Sequence, residues 1–210
     1  MLNSRDAALG DDEEQSVSSE SPSALSEINA LSDAEVRSRA KRIMGPHKDL
    51  ASFSEARFEQ HLAAAESYMK QGIYYRACDS YTLASIYRAN DPQVFAGKGH
   101  ALFAAGEYVS SSLFISRALE ASPEYARSKV DLAGLMGPDR IESRIADVKE
   151  WLEKSKSGEL EFLLAYIYHR MGRVREAKGF IDAATAKMPG SSAAATLKKA
   201  IEEATSSNTK

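Results

Sequence analysis

The chain contains a single cysteine, Cys78, among its 210 residues. One thiol cannot form a disulfide within the chain, so a disulfide-stapled fold is excluded, and we expect Cys78 to pack as a small buried residue. No apolar run is long enough to cross a bilayer, and the first residues lack the basic start and apolar stretch of a signal peptide. These absences predict a cytoplasmic protein without membrane insertion.

The chain also lacks an excess of charge of either sign. It holds 27 basic and 30 acidic residues, a formal net charge of -3. This balance gives no electrostatic reason to expect nucleic acid or an anionic membrane as a partner. The hydrophobic fraction of 43% is sufficient for one domain of ordinary size, with a tail.

Patterns that mark catalytic or metal sites are missing as well. The four histidines do not stand at zinc-ligand spacing with cysteine or carboxylates. Gly97-x-Gly99 lacks the preceding strand and third glycine of a phosphate-binding loop, so we expect these glycines to serve close helix packing. We therefore predict no metal, no cofactor and no enzymatic activity.

A pair of short amphipathic helices joined at Gly106 is predicted for residues 92–123. Asp91 is placed to cap the first helix, and Pro92 suits its first position. Apolar and small residues recur at the three- and four-residue spacing of helices on both sides of the turn. These residues are Phe95, Gly99, Leu102 and Phe103 before Gly106, and Tyr108, Ser111, Ile115, Ala118 and Leu119 after it.

The same pattern surrounds two further glycines. Gly72 lies 34 residues before Gly106, and Gly172 lies 66 residues after it. The first distance is one period and the second is two periods less two residues, which leaves room for one degenerate unit. We expect all three glycines to adopt a positive φ just past a helix end.

A 34-residue helix-turn-helix period resembles the tetratricopeptide repeat. Its pattern positions hold His61, Ala64, Ala65, Tyr68, Ala77 and Tyr81 in the first unit, Phe95, Lys98, Gly99, Leu102, Ser111, Ile115 and Pro123 in the second, and Glu161, Leu164, Ala165, Tyr168, Ala177, Ile181 and Pro189 in the last. The resemblance covers about residues 58–189, although no tryptophan opens a unit and Lys98 replaces a core leucine. It implies an all-α fold, a right-handed superhelical solenoid of helical hairpins.

The predicted domain organisation has three parts. Residues 1–30 form a serine-rich acidic leader whose composition predicts disorder. Residues 31–51 hold a short helix, capped by Ser32 with Glu35, and a linker. Residues 52–205 form the repeat domain, whose first helix is capped by Ser52 with Glu55. Its repeats lie at about 58–91, 92–123 and 158–189, with a degenerate pair of helices at 124–157 and a capping helix at 191–205. The first helix of the degenerate pair spans 124–136, and the second spans 139–155 with an apolar stripe of Ile141, Ile145, Val148, Trp151 and Leu152.

The resemblance also implies a binding site. In this family the first helix of each pair lines a groove that commonly holds a peptide. Register then assigns Phe103, Phe162 and Tyr166 as apolar anchors, with His169 and Arg170 orienting a polar or acidic group. The remaining predicted groove residues are Glu66, Met69, Lys70, His100 and Arg127. The alternative interpretation is that the aromatic residues pack only between neighbouring units.

Three functions follow as expectations. The first is a non-catalytic adaptor that binds a protein or peptide partner through the groove. The second is a secretion chaperone for a translocator-like client. The pattern Phe95-x-Gly97-x-Gly99, followed by Gly106-x-Tyr108, resembles the middle repeat of small repeat proteins that act as such chaperones. The third is a self-assembling structural module, which would be a homo-oligomer.

Overall fold

The computed structural model describes residues 32–207, in which all regular structure is helical. This part of the chain holds ten α-helices and one 3-10 helix, and no strand. The predicted leader, residues 1–30, lies outside the described residues. None of the described helices combines the length and the apolar character needed to cross a bilayer. The chain divides into two units, residues 1–47 and 48–210.

In the first unit the structure describes helix α1, Asp33–Met44. The predicted capping box is confirmed, because the Ser32 hydroxyl accepts from the Glu35 amide and the Glu35 carboxylate accepts from the Ser32 amide. Gly45 ends the helix with a positive φ of 61°.

The second unit contains three helical hairpins. Their helices are α2 (Leu50–Lys70) and α3 (Tyr74–Tyr87), α4 (Pro92–Ala105) and α5 (Tyr108–Ala121), and α8 (Gly158–Arg170) and α9 (Val174–Lys187). The predicted cap of α2 is wrong: Asp49, not Ser52, is the N-cap, and Ser52 completes its capping box. The predicted cap of α4 is confirmed, since Asp91 accepts from the amides of Gln93 and Val94.

Each hairpin turns at one of the three predicted glycines. Gly72, Gly106 and Gly172 have φ values of 76°, 98° and 71°. A side chain is strained in this left-handed region, whereas glycine adopts it freely. The prediction for the three glycines is therefore confirmed.

The hairpins pack against one another in sequence order, but without a fourth hairpin between the second and third. Helix α3 packs on α4, and α5 packs directly on α8. A last helix, α10 (Ser192–Ser207), packs on α9 and α5 and covers this end of the hairpin array, as the predicted capping helix should. The Ser191 hydroxyl accepts from the Ala194 amide at its start.

The stretch between the second and third hairpins differs from the predicted helix pair. A 3-10 helix, Pro123–Arg127, and the short helix α6, Leu132–Met136, replace the single helix predicted over 124–136. We call residues 123–136 the crossing segment, because its 3-10 helix contacts α5 and α10 whereas α6 contacts α2. Asp131 interrupts the predicted helix, because its side chain accepts a hydrogen bond from the Gly134 amide and caps the start of α6.

Helix α7, Pro138–Ser155, lies across the turns of the hairpins. Arg144 donates to the Ala104 carbonyl beside the second turn, at 3.1 Å. Arg140 lies over the Tyr74 ring at the first turn, and Glu142 pairs with Arg173 at the third. Its predicted apolar stripe is buried at Ile141, Ile145 and Val148, whereas Trp151 is exposed. Helix α7 is therefore a brace across the turns and not half of a stacked repeat.

Candidate functional site

The face formed by the first helices α2, α4 and α8 is partly covered by the crossing segment. Arg170 of α8 donates to the carbonyls of Tyr125, at 2.7 Å, and of Ser128. His169 donates from Nε2 to the Ala126 carbonyl at 3.1 Å. Two predicted groove residues, His169 and Arg170, thus bind backbone carbonyls of the protein's own crossing segment and not those of a bound peptide.

Aromatic rings enclose the Arg170 guanidinium. Its centre lies 4.7 Å from the Tyr166 ring centroid and 5.3 Å from that of Tyr125. Cations are attracted to the faces of aromatic rings, so these contacts help hold a charge that is partly withdrawn from water. The predicted role for Arg170, orienting an acidic group of a partner, stays a prediction; its observed role is to hold the crossing segment.

His100 of α4 is buried and joined to Tyr166 of α8. A hydrogen bond of 2.9 Å connects its Nε2 to the tyrosine hydroxyl. Burial, with a contribution from the charge of Arg170, lowers the pKa of His100 from 6.5 to about 3. The imidazole is consequently neutral at physiological pH and couples the second hairpin to the third.

A pocket of about 700 Å³ opens between α2, α4 and the crossing segment. Three predicted groove residues, Glu66, Lys70 and His100, line it. The rest of its lining is formed by Tyr81, Asp91, Pro92, Gln93, Gly97, Tyr125, Ser128, Lys129, Val130, Asp131, Gly134 and Leu135. Its volume lies within the range of about 300–1,000 Å³ that is typical of ligand pockets.

The charged groups of this pocket differ in how far they are available to a ligand. Asp91 and Asp131 accept hydrogen bonds from backbone amides at the starts of α4 and α6. Lys70 and Lys129 are exposed at the rim, and Glu66 is half-buried beside them. The pocket therefore offers two ammonium groups and one carboxylate to a ligand, and Tyr81 and Tyr125 also line it.

Four of the predicted groove residues belong to the core instead. Phe103, Phe162 and Tyr166 have 0% exposure, and Met69 has 1%. Neighbouring helices and the crossing segment cover them, so they are not accessible anchors, and the alternative interpretation holds for the three aromatic residues. This corrects the role that the resemblance implied.

Arg127 lies at the end of the 3-10 helix and is held by acidic residues of its surroundings. It donates to both carboxylate oxygens of Glu203 in α10, at 2.7 and 2.9 Å, and to Glu124 at 3.1 Å. These pairs raise its pKa. Arg127 thereby ties the crossing segment to α10 and is not joined to the pocket described above.

Sequence reasoning missed the residues that the crossing segment contributes. Tyr125, Ser128 and Lys129 line the pocket or contact Arg170, yet they lay inside a predicted helix. One signal for the break was available: Asp131, three residues before Gly134, is a typical helix start.

The described residues hold no group of three or more histidine, cysteine, aspartate or glutamate side chains placed to bind a metal ion. Cys78 is a buried free thiol, as expected from the sequence. Burial raises its pKa from 9.0 to about 11, which keeps it protonated at neutral pH.

No family model, curated protein or solved structure matches the chain. The resemblance to tetratricopeptide repeats therefore rests on the spacing of residues and on the observed hairpins.

Proposed function

We propose that the chain is a non-catalytic adaptor that binds a segment of a partner protein in the pocket between α2, α4 and the crossing segment. The pocket itself carries the proposal: it lies on the face of the first helices and is lined by three residues that the repeat pattern assigned to a groove, Glu66, Lys70 and His100. A right-handed superhelical sense, as in tetratricopeptide repeats, is part of this proposal.

The crossing segment limits the part of the first-helix face at which a partner can bind. Along α8 the first-helix face is covered, since Arg170 and His169 hold the backbone of residues 125–128. Between α2 and α4 it is open over the pocket. We therefore propose a short contact at one end of the face, where a side chain enters between Lys70 and Lys129, and not a peptide lying along all three hairpins.

Charge reversal at the rim tests this proposal. The double variant Lys70→Glu/Lys129→Glu alters two exposed pocket residues that lie outside the core. Affinity capture from a lysate of the native host, quantified by mass spectrometry, should show partners that the wild type enriches and this variant loses. The double variant replaces two ammonium groups at the rim with carboxylates, which repel an acidic segment. The captured amount of a partner with an acidic segment should therefore fall about tenfold or more.

The matched control is Arg76→Glu/Arg175→Glu, which makes the same change of charge at exposed positions on the second helices α3 and α9. It should capture the same partners as the wild type. If both variants lose the same partners, or neither loses any, the pocket is not the binding site.

Self-assembly is a second candidate, supported by exposed apolar side chains on the second helices. Tyr75 and Ile86 on α3 are 62% and 70% exposed, and Val109 and Leu113 on α5 are 59% and 51% exposed. Such residues favour association with another surface. Sedimentation at increasing concentration should then show a dimer that Ile86→Glu/Leu113→Glu dissociates, and a strict monomer would exclude this function.

A further inference from the structure

Helix α1 concentrates positive charge in one short stretch. Its 12 residues hold four basic side chains against Asp33 and Glu35, a net formal charge of +2 in a chain that totals -3. The basic side chains are Arg37, Arg39, Lys41 and Arg42. The near-balance of charge over the whole chain therefore conceals a local excess of positive charge.

The apolar side chains of α1 occupy one side of the helix. At about 100° per residue, Val36, Ala40, Ile43 and Met44 fall within an arc of about 100°. Arg37 and Arg39 lie at the two edges of this arc, and Lys41 and Arg42 lie further round. The helix is thus amphipathic, with a basic residue on either side of its apolar face.

Among the residues that the structure describes, this face is half-buried at Ala40 and Met44 and exposed at Val36 and Ile43. None of the residues of α1 is buried, and Val36 and Ile43 are 43% and 67% exposed. An isolated helix of this length is marginal in water, so an apolar face that includes exposed Val36 and Ile43 gains stability from contact with a partner.

We infer that α1 binds an anionic lipid surface, lying in the plane of the headgroups. Charge complementarity points to this occupant: arginines on both edges of an apolar face can bind lipid phosphates while Val36 and Ile43 enter the acyl boundary. A protein groove has walls of its own and does not require basic residues along both edges. With 12 residues the helix is about 18 Å long, too short to cross the bilayer core of about 30 Å.

The composition of α1 also sets the strength of this contact. It contains no tryptophan, phenylalanine or leucine, so its apolar area is small and most of the attraction is electrostatic. Binding is accordingly weak, reversible and sensitive to salt. This surface shares no residue with the pocket of the proposed function, so each proposal can fail without the other.

Vesicle co-sedimentation of the full chain tests the inference. The protein should sediment with vesicles containing about 30 mol% phosphatidylserine, should not sediment with pure phosphatidylcholine, and should be released at about 0.5 M salt. Equal binding to both kinds of vesicle, or binding to neither, would overturn the assignment.

Paired variants locate the contact. Arg37→Gln/Arg39→Gln should lower the partition coefficient about 25-fold, because each basic residue near an anionic surface contributes about fivefold. The control Arg175→Gln/Lys199→Gln removes the same charge from exposed positions in the second unit and should bind as the wild type does. Val36→Ser/Ile43→Ser should weaken binding severalfold; unchanged binding would show that α1 does not enter the interface.

Discussion

At the scale of single residues, two glycines in α4 allow the neighbouring helices α3 and α5 to approach it closely. A Cβ atom built on Gly97 would lie 2.3 Å from a carbon of the Tyr81 ring. One on Gly99 would lie 2.7 Å from the Ile115 side chain. Real Cβ atoms do not approach other carbons this closely, so the two glycines serve helix packing, as their sequence context predicted.

Gly97→Ala should therefore destabilise the fold. Displacement of the Tyr81 ring should lower the free energy of unfolding by about 1–3 kcal/mol. Gly179→Ala in α9 is the matched control, because its Cβ would meet nothing within 4 Å. There alanine should raise the free energy of unfolding by about 0.4–1 kcal/mol through its higher helix propensity. Urea denaturation of both variants measures the difference, and equal effects would contradict close packing at Gly97.

The buried His100 makes the protein less stable as the pH falls. Its pKa is lowered in the folded state, so the unfolded chain binds more protons between about pH 3 and 6.5, and stability is lost as the pH falls through this window. The pKa of His169 is also lowered by burial and acts in the same sense. We expect His100 alone to remove on the order of 2–3 kcal/mol between pH 6.5 and 4.

His100→Asn removes this titration and should flatten the dependence. The free energy of unfolding, measured by urea denaturation at several pH values, should fall less steeply for the variant than for the wild type, whatever its stability at pH 7. Parallel profiles would mean that His100 has the same pKa in the folded and the unfolded protein, which contradicts its burial in the structure.

At the scale of elements, the stability of the hairpin array should depend on helix α7. Ile145 is 3% exposed on the face of α7 that packs against the hairpins. Ile145→Ala should lower the free energy of unfolding by about 2–4 kcal/mol, whereas Ser143→Ala on the exposed side should change it by less than about 0.5 kcal/mol. A small effect at Ile145, measured by thermal or urea denaturation, would show that α7 is only loosely attached.

The elements also show what sequence reasoning can and cannot reach. The turns at Gly72, Gly106 and Gly172 and the cap at Asp91 were predictable, because each depends on a residue and its near neighbours. The stripe of Ile141, Ile145 and Val148 predicted that α7 buries one face, but not what that face packs against. Its position across the turns depends on contacts with residues about 30–70 positions away along the chain, which no local pattern encodes.

The candidate site was also predictable only where it depends on local sequence. Register placed Tyr166 and Arg170 on one face of α8, and both do lie on the side that meets the crossing segment. Whether that side faces solvent depends on residues 125–128, whose carbonyls Arg170 binds. Backbone carbonyls have no sequence signature, so the covering of this face could not be predicted, whereas Glu66 and Lys70 were found at the open end.

At the scale of the whole molecule, the hairpins, the brace α7 and the crossing segment together leave one end of the first-helix face open over the pocket. Lys70 and Gln93 are exposed at this pocket, and Arg175 is exposed on a second helix. A photo-crosslinking amino acid placed at each of these positions can report separately on what touches it.

Photo-crosslinking in native lysate is the most direct test of the adaptor function. A crosslinker at Lys70 and at Gln93 should attach to the same partner protein, and mass spectrometry should map both attachments to one short stretch of that partner. A crosslinker at Arg175 should not attach to it. Attachment from Arg175 alone, or from all three positions without distinction, would contradict binding in the pocket.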